Sequence, residues 1–375
     1  MIQQSHHQWT ADSGWQPPLP QREFDPQLVF VFGTLKQQHA IDELNKAFPD
    51  AVITGCSSAG EIQDHRVYDD TLVVSALKFQ STQVSFASQQ VTSDSFNAGK
   101  DLAAQIPQQG LRHVFVFSDG LEVNGTALVN GMKQNLPEEV KISGGMAADG
   151  EDFGETYVCA GNTVSNKLIT AVGLHGDNIE VHYGSHGGWD PFGPDRIISH
   201  SEGNKLYKLD NHNALTLYKK YLGPHAADLP GSALRFPLFL HGLEGTDQVV
   251  RTVLAIDEEE QSMTFAGDVP QGSHARFMSA NLNRLIDGAT TAGEQTIQQA
   301  ACPRPEFALL ISCVGRRMVL RQMAEEEIEV LDEVYQRQVP HLGFYSYGEI
   351  APLDGIGDCS LHNQTMTITT LCEHD

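Results

Sequence analysis

The sequence GCSSAGEI at residues 55–62 returns in altered form as GFYSYGEI at residues 343–350. Each copy follows a short apolar run, and each contains glycine and other small residues. Glycine adopts positive φ angles without a steric penalty, so a strand that ends in such a sequence can turn sharply. The two copies predict two related tight turns and indicate that the chain contains an internal repeat.

The residues on either side of the first turn also repeat. The runs LVFVFG at 28–33 and HVFVFS at 113–118 predict buried strands, and a segment with helical spacing of apolar residues follows each of them. Each helix leads to a strand with a glycine-rich turn, VITGCSSAGE at 52–61 and KISGGMAADG at 141–150. A pair of further strands completes each unit, so the repeat reads strand, helix, strand, turn, strand, strand.

The C-terminal region follows the same plan. It contains a strand at 307–314, one amphipathic helix over 316–336, a strand with its turn at 341–350 and a closing strand at 363–371. Residues 249–267 resemble part of the first unit. We therefore expect a mixed α/β fold of repeated β-α-β-β-β units, with mixed sheets and helices on the outer faces. One unit cannot bury both faces of its sheet, so two tightly associated domains are expected.

The repeats also suggest boundaries. Residues 1–24 are polar and predict a tail, residues 25–195 an N-terminal domain with two repeats, and residues 196–375 a C-terminal domain with one partial and one full repeat. No run approaches the roughly 20 apolar residues that span a bilayer, and the N-terminus does not resemble a signal peptide. The six cysteines form no CxxC motif, so neither a zinc site nor a disulfide framework is indicated, and a reducing cytoplasm is expected.

The formal net charge of −24 restricts the partners. Phosphate backbones and anionic lipids repel an acidic chain, so neither nucleic-acid binding nor membrane insertion is expected.

The two repeated turns are the candidate ligand-binding site. Ligands of α/β sheets bind beyond the carboxyl ends of strands, where pseudo-symmetric turns can face one cleft. The alternative is that the small residues serve only tight turns and close packing. The candidate residues are Gly55, Cys56, Ser57, Ser58, Gly60, Glu61, Gly343, Tyr345, Ser346, Tyr347, Gly348 and Glu349.

Glu61 and Glu349 occupy equivalent positions in the two turns. Paired carboxylates can bind a cation or an amine, or can transfer protons. The alternative is that each accepts hydrogen bonds and fixes its own loop. Neither turn completes a G-x-S-x-G nucleophile motif, so the expectation is a protein that is not an enzyme. An enzyme that uses Ser58, Glu61 and Glu349 is the less favoured alternative.

Histidines are dense in LHGDNIEVHYGSHGGW at 174–189, where His182 and His186 are candidate metal ligands. Imidazole is a common ligand of haem iron. Cys302, which precedes a proline, could supply a thiolate ligand. The alternative for each residue is an exposed or hydrogen-bonded position without a metal.

Six motifs in order resemble the FIST sensory module with its N-terminal and C-terminal parts. They are VITGCSSAGEI, ISGGMAADG, GGWDPFGP, SEGNKLYKLD with ALTLYKKYLG, VVRTVLAID with GDVPQG, and GFYSYGEI. The resemblance covers residues 25 to 375 and implies a free-standing cytoplasmic small-ligand sensor in signal transduction. It also implies haem as the cofactor, nitric oxide as the signal and a histidine kinase as the partner. A haem-free module for amino-acid-like metabolites is the alternative, and a homodimer is a further expectation.

Overall fold

The computed structural model describes residues 1–20, 24–92, 94–242, 248–298, 304–352 and 355–374. Up to residue 140 the elements are β1 (Gln3–Thr10), β2 (Gly14–Gln16), β3 (Leu28–Gly33), α1 (Gln38–Ala47), β4 (Val52–Cys56), β5 (Glu61–Gln63), β6 (Arg66–Tyr68), β7 (Leu72–Lys78), β8 (Gln83–Gln90), α2 (Ser95–Ala104), β9 (Leu111–Ser118) and α3 (Gly125–Lys133). From there to residue 242 they are β10 (Lys141–Met146), β11 (Val158–Ala160), β12 (Thr163–Ser165), β13 (Leu168–His175), β14 (Ile179–His186), β15 (Trp189–Glu202), β16 (Lys205–Leu209), β17 (His212–Asn213), α4 (Ala214–Leu222) and β18 (Leu238–His241). The remaining elements are β19 (Val249–Arg251), β20 (Val253–Asp257), β21 (Ser262–Phe265), β22 (His274–Ala280), α5 (Leu282–Gln298), β23 (Phe307–Cys313), α6 (Val314–Leu320), α7 (Glu326–Val334), β24 (His341–Ser346), β25 (Gly348–Pro352), β26 (Cys359–His362) and β27 (Met366–Glu373).

Three of the sheets are built on the same plan, which confirms the predicted mixed α/β fold. In each, a parallel pair of strands is joined by an antiparallel third strand: β4–β3–β7, β10–β9–β13 and β24–β23–β27. One helix in the first two units, and two in the third, connect the parallel strands, because a parallel pair needs a long crossover connection. The three units are therefore related by an approximate threefold repeat.

The short hairpins that follow the glycine turns exchange partners among the three sheets. Strand β5 of the first unit pairs with β24 of the third, β25 of the third pairs with β10 of the second, and β11 of the second pairs with β4 of the first. The exchange closes on itself, so each unit supplies an edge hairpin to one neighbour and receives one from the other.

The last strand of each unit is exchanged as well. Strand β8 pairs with β13, and β14 pairs with β27. The equivalent place beside β7 is taken by β1, so part of the segment predicted as a polar tail is a strand instead. The polar sequence of β1 does not predict a strand, because β1 contributes mainly backbone hydrogen bonds along the exposed edge of β7.

A cluster of phenylalanines joins the three sheets at their centre. The Phe32 and Phe344 rings stack with centroids 4.5 Å apart, and Phe30 lies edge-on to Phe115 at 5.2 Å. The alternate residues of β3 point outward and pack against α1. Each central strand is thus buried on both faces, which explains its continuous apolar sequence.

The fourth sheet is antiparallel and stands apart from the threefold repeat. Its order is β19-β18-β22-β15-β16-β21-β20, with β17 paired to β16, and α4 packs on its core. Residues 249–267, predicted as a partial repeat, contribute strands to this sheet. There β20 and β21 pair with each other, whereas β7 and β8 of the first unit lie in different sheets.

The single helix predicted over residues 316–336 is broken. A short 3₁₀ turn at Arg321–Met323 separates α6 from α7, and Arg321 has a φ of 53°. The break allows Glu327 to reach Arg316, whose guanidinium lies 2.8 Å from its carboxylate. In a continuous helix these two residues would lie about 16 Å apart along the axis.

In the described part of the chain, no helix is long and apolar enough to cross a membrane. Cys372 is disulfide-bonded, which the dispersed cysteines did not predict. Cys302, the candidate thiolate ligand, lies outside the described residues.

Candidate functional site

The two repeated turns lie side by side, as the sequence predicts. The backbone N–H of Ala59 donates to the Tyr345 carbonyl, and the N–H of Tyr345 donates to the Gly60 carbonyl, both at 2.9 Å. We call residues 55–61 and 343–349 together the turn junction. It forms where the first and third units meet.

The glycine that opens each turn is required for close strand packing. A Cβ atom on Gly55 would lie 1.7 Å from the Val31 carbonyl oxygen, and one on Gly343 would lie 1.8 Å from that of Leu310. Gly144 has the same relation to the second parallel strand. Such distances are far below van der Waals contact, so only glycine fits these three positions.

The two glutamates of the turn junction have matching partners. Glu61 accepts hydrogen bonds from the Ser58 hydroxyl and from the backbone N–H and hydroxyl of Thr71, the last at 2.9 Å. Glu349 is bound in the same way by Ser346 at 2.7 Å and by the N–H and hydroxyl of Thr365 at 3.1 and 2.9 Å. Each carboxylate therefore ties its turn to the residue that precedes the closing strand.

Both carboxyl groups are shielded from water, which raises the pKa of Glu61 to about 7 and that of Glu349 to about 7. The hydrogen bonds from serine and threonine act in the opposite direction, because they favour the ionised form. Burial is the larger of the two influences at both positions.

In the second unit a carboxylate from a different loop contacts the residue that precedes the closing strand. Ala147 and Gly150 stand at the positions of the serine and the glutamate, and the Asp119 carboxylate instead accepts the N–H of Lys167 at 2.8 Å. Lys167 precedes the closing strand of its unit, as Thr71 and Thr365 do in theirs. Asp119 follows β9 and lies outside the glycine turn, so only the contact to the residue before the closing strand is shared.

The space between the two turns is filled by protein. The Arg317 guanidinium lies against Gly60, donates to the Ala59 carbonyl, and pairs with Asp69 at 2.7 Å. Of the twelve candidate residues, eleven are buried and Ser58 is half-buried. Tyr347 stacks on Phe153 at 5.0 Å and donates to the Gly150 carbonyl. The predicted cleft is thus a packed junction, and ligand binding by these residues stays a prediction.

The two histidines on β14 face α5. A Cβ on Gly184, which lies between them on the same face, would be 1.8 Å from the Ala292 carbonyl oxygen of this helix. The side chain of His182 is 13 % exposed, and its Nε2 lies 3.2 Å from a Glu180 oxygen. The helix therefore fills the space between the two histidines on this face, while the His186 side chain is exposed. His182 and His186 do not fit an iron site between them.

A cavity of about 670 Å³ opens at a different contact between the first and third units. We call it the seam cavity. Its lining residues come from β1, from the turn between β5 and β6, and from α7 with the segment that follows. They are His6, Asp64, His65, Glu329, Asp332, Glu333, Arg337, Gln338, Val339 and Pro340. Its size is typical of sites for small molecules.

Sequence reasoning missed the seam cavity because its walls come from three distant segments. One of them, β1, was assigned to a tail. A signal was nevertheless present in the helix predicted over residues 316–336. Its end carries Asp332 and Glu333, although a helix C-terminus favours positive charge.

Comparison with known proteins identifies both halves of the chain. Residues 27–212 match the FIST N domain and residues 214–352 match the FIST C domain. No curated protein matches the sequence significantly. The structure of cyanuric acid hydrolase from A. caulinodans aligns at 8 % identity over 100 % of this chain and 99 % of that chain, with a TM-score of 0.39. A second cyanuric acid hydrolase structure, reported as innovation by structural concatenation, aligns at 9 % identity over 100 % of both chains with a TM-score of 0.31. Neither TM-score supports a conclusion about this chain.

Proposed function

This chain carries a FIST N domain and a FIST C domain, and we propose that together they bind a small molecule in the seam cavity and report its presence to a signalling partner. The observation that carries the proposal is the position of the cavity. Asp64 and His65 belong to the segment that matches FIST N, and residues 329–340 belong to the segment that matches FIST C.

A ligand that touches both domains changes the contact between them. A ligand shifts a conformational equilibrium only by the difference between its affinities for the two states. Here the two walls are held together by the pairing of β5 with β24, in which the Asp64 N–H donates to the His341 carbonyl at 3.1 Å. A ligand that binds more tightly when the walls are paired would strengthen this pairing, and a partner that contacts either domain would detect the change.

Ligand screening with hydrogen exchange tests the proposal. A metabolite library is first screened for molecules that raise the melting temperature, since a ligand that binds only the folded state stabilises it. For each such molecule, amide exchange is then measured with and without ligand. We expect slower exchange at residues 63–66 and 329–342. Stabilising ligands that slow exchange only elsewhere would contradict the assignment of the cavity.

A haem-based form of the proposal follows from the family resemblance. In it, the chain binds haem, senses nitric oxide and regulates a partner histidine kinase. Because His182 and His186 do not fit an iron site between them, a haemin titration that develops a stoichiometric Soret band should give the same band in the His182→Ala and His186→Ala variants. If either substitution abolishes the band, the haem ligand would be assigned to β14. The absence of any stoichiometric band would remove haem from the proposal.

The proposal assigns no catalysis to Ser58, Glu61 or Glu349. Their polar atoms already bond to one another or to the neighbouring threonines, and Arg317 lies against Gly60 and the Tyr345 ring. Cytoplasmic location, a kinase partner and a homodimer are parts of the same proposal and rest on the family resemblance.

A further inference from the structure

The walls of the seam cavity carry more negative than positive charge. Four carboxylates and one guanidinium line it, together with two histidines. Within the described residues, Asp332 is paired with His341 at 2.9 Å, whereas Asp64, Glu329 and Glu333 have no basic group within 4 Å. Three exposed carboxylates therefore line the cavity without an ion pair to any of the described residues.

Two of the cavity acids stand where the helix itself disfavours them. The C-terminus of a helix carries partial negative charge, and acidic residues near it destabilise the helix. Helix α7 has acidic residues in its first turn, where they are favourable, but Asp332 and Glu333 lie in its last turn. Local features that oppose stability are expected at functional sites.

One ring nitrogen of a histidine that lines the cavity has no hydrogen-bond partner among the described residues. The His6 side chain lines the cavity, its Nδ1 lies 2.7 Å from the Ser75 hydroxyl, and its Nε2 is buried without a hydrogen-bond partner. His341 lies behind the wall rather than in the lining; it is fully buried, and its Nε2 lies 2.9 Å from an oxygen of the cavity residue Asp332. Buried polar atoms are almost always satisfied, so the unpaired Nε2 of His6 indicates a polar occupant of the cavity.

The His6 ring is suited to accept a hydrogen bond. Burial lowers its pKa, and the nearby Asp64 acts in the opposite direction. In the tautomer whose Nδ1–H donates to the Ser75 hydroxyl, Nε2 is an acceptor, and this is the tautomer that the proposal requires. An ammonium group is a donor with three N–H bonds and would satisfy this nitrogen and a carboxylate together.

The spacing of the acids argues against a bare metal ion. In the part of the chain that the structure describes, no three His, Cys, Asp or Glu side chains are close enough to hold one. Carboxylates that are spread over a cavity instead match a molecule whose positive charges are separated by a spacer. We propose that the seam cavity binds a small organic diamine, a proposal that rests on the ligand-sensing function and names its ligand class.

Calorimetric titration with butane-1,4-diamine tests this proposal. We expect saturable one-to-one binding at low ionic strength that weakens as salt is added, because salt screens charges at an open site. Succinate, which has the same length and opposite charge, and butane-1,4-diol, which is neutral, should not bind. Magnesium chloride at the same ionic strength as sodium chloride should compete no better than sodium chloride.

Variants locate the binding. Asp64→Asn and Glu333→Gln should each weaken diamine binding about threefold to tenfold, in line with partly exposed ion pairs. Glu326→Gln is the matched control, because it removes the same charge from the first turn of the same helix outside the cavity. His6→Gln should also weaken binding, and its melting temperature reports whether the fold survives.

The outcomes separate this proposal from the proposed function. Absence of diamine binding, equal binding by Asp64→Asn, Glu333→Gln and Glu326→Gln, or binding of succinate would overturn the diamine assignment. If another molecule then protects residues 63–66 and 329–342 from exchange, the ligand-sensing function stands without it. If none does, both proposals fall.

Discussion

The turn junction and the seam cavity are both acidic, and both lie where the first and third units meet. In the junction, Glu61 and Glu349 each accept hydrogen bonds from a serine and a threonine, and Arg317 covers the turns. In the cavity, three carboxylates form no ion pair with the described residues, and the Nε2 of His6 has no hydrogen-bond partner among them. A buried acid that is fully bonded within its own fold is explained by structure. Polar groups left unsatisfied around an opening call for a ligand.

The largest effect is expected at the buried ion pair behind the junction. Arg316 donates to Glu327 and to the carbonyls of Gly187 and Leu285, and Glu327 also accepts the Tyr345 hydroxyl at 2.7 Å. Arg316→Met leaves the Glu327 charge buried without a cation, so it should cost about 3–5 kcal/mol of unfolding free energy. Urea unfolding measures the loss.

Arg321→Met is the control for this substitution, because it replaces an exposed arginine in the same segment. It should change stability by less than about 0.5 kcal/mol. The double variant Arg316→Met/Glu327→Leu should recover part of the loss, since it removes both charges. Equal stability of the Arg316 and Arg321 variants would show that the junction does not depend on this pair.

A smaller effect is expected from the pH dependence of Glu349. The folded state holds its proton up to about pH 7, whereas an unperturbed glutamate releases it near 4.5. Between these values the folded state binds more protons than the unfolded chain, so this group contributes stability at low pH that is lost as the pH rises. The stability advantage of the wild type over Glu349→Gln should therefore shrink between pH 5 and pH 8.

Urea unfolding across this range gives the difference between the two proteins, and contributions from other titrating groups cancel in it. Glu326→Gln, at an exposed site, should stay parallel to the wild type. A difference that grows with pH would mean that the hydrogen bonds from Ser346 and Thr365 outweigh burial and favour the carboxylate.

The contrast also shows what the sequence can reveal. The repeated apolar runs predicted the central strands of all three units, because residues buried on both faces leave a continuous signal. The two turns were paired correctly because their glycines and glutamates repeat. Which sheet each hairpin joins is decided by contacts between units, and no local pattern records it. The polar β1 and the cavity that it lines were missed for the same reason.

The smallest effect tests whether the cavity acids oppose stability. Removing Glu333 from the last turn of α7 relieves an unfavourable interaction with the helix dipole, so Glu333→Gln should stabilise the ligand-free protein by about 0.3–1 kcal/mol. Glu326→Gln, in the first turn, should destabilise it by a similar amount. These opposite signs, measured by urea unfolding, distinguish a helix-end effect from a general effect of lowering the negative charge.

Adding butane-1,4-diamine should then stabilise the wild type more than Glu333→Gln and erase the advantage of the variant. If Glu333→Gln is destabilising without ligand, the carboxylate has a structural role, and the cavity resembles the junction after all.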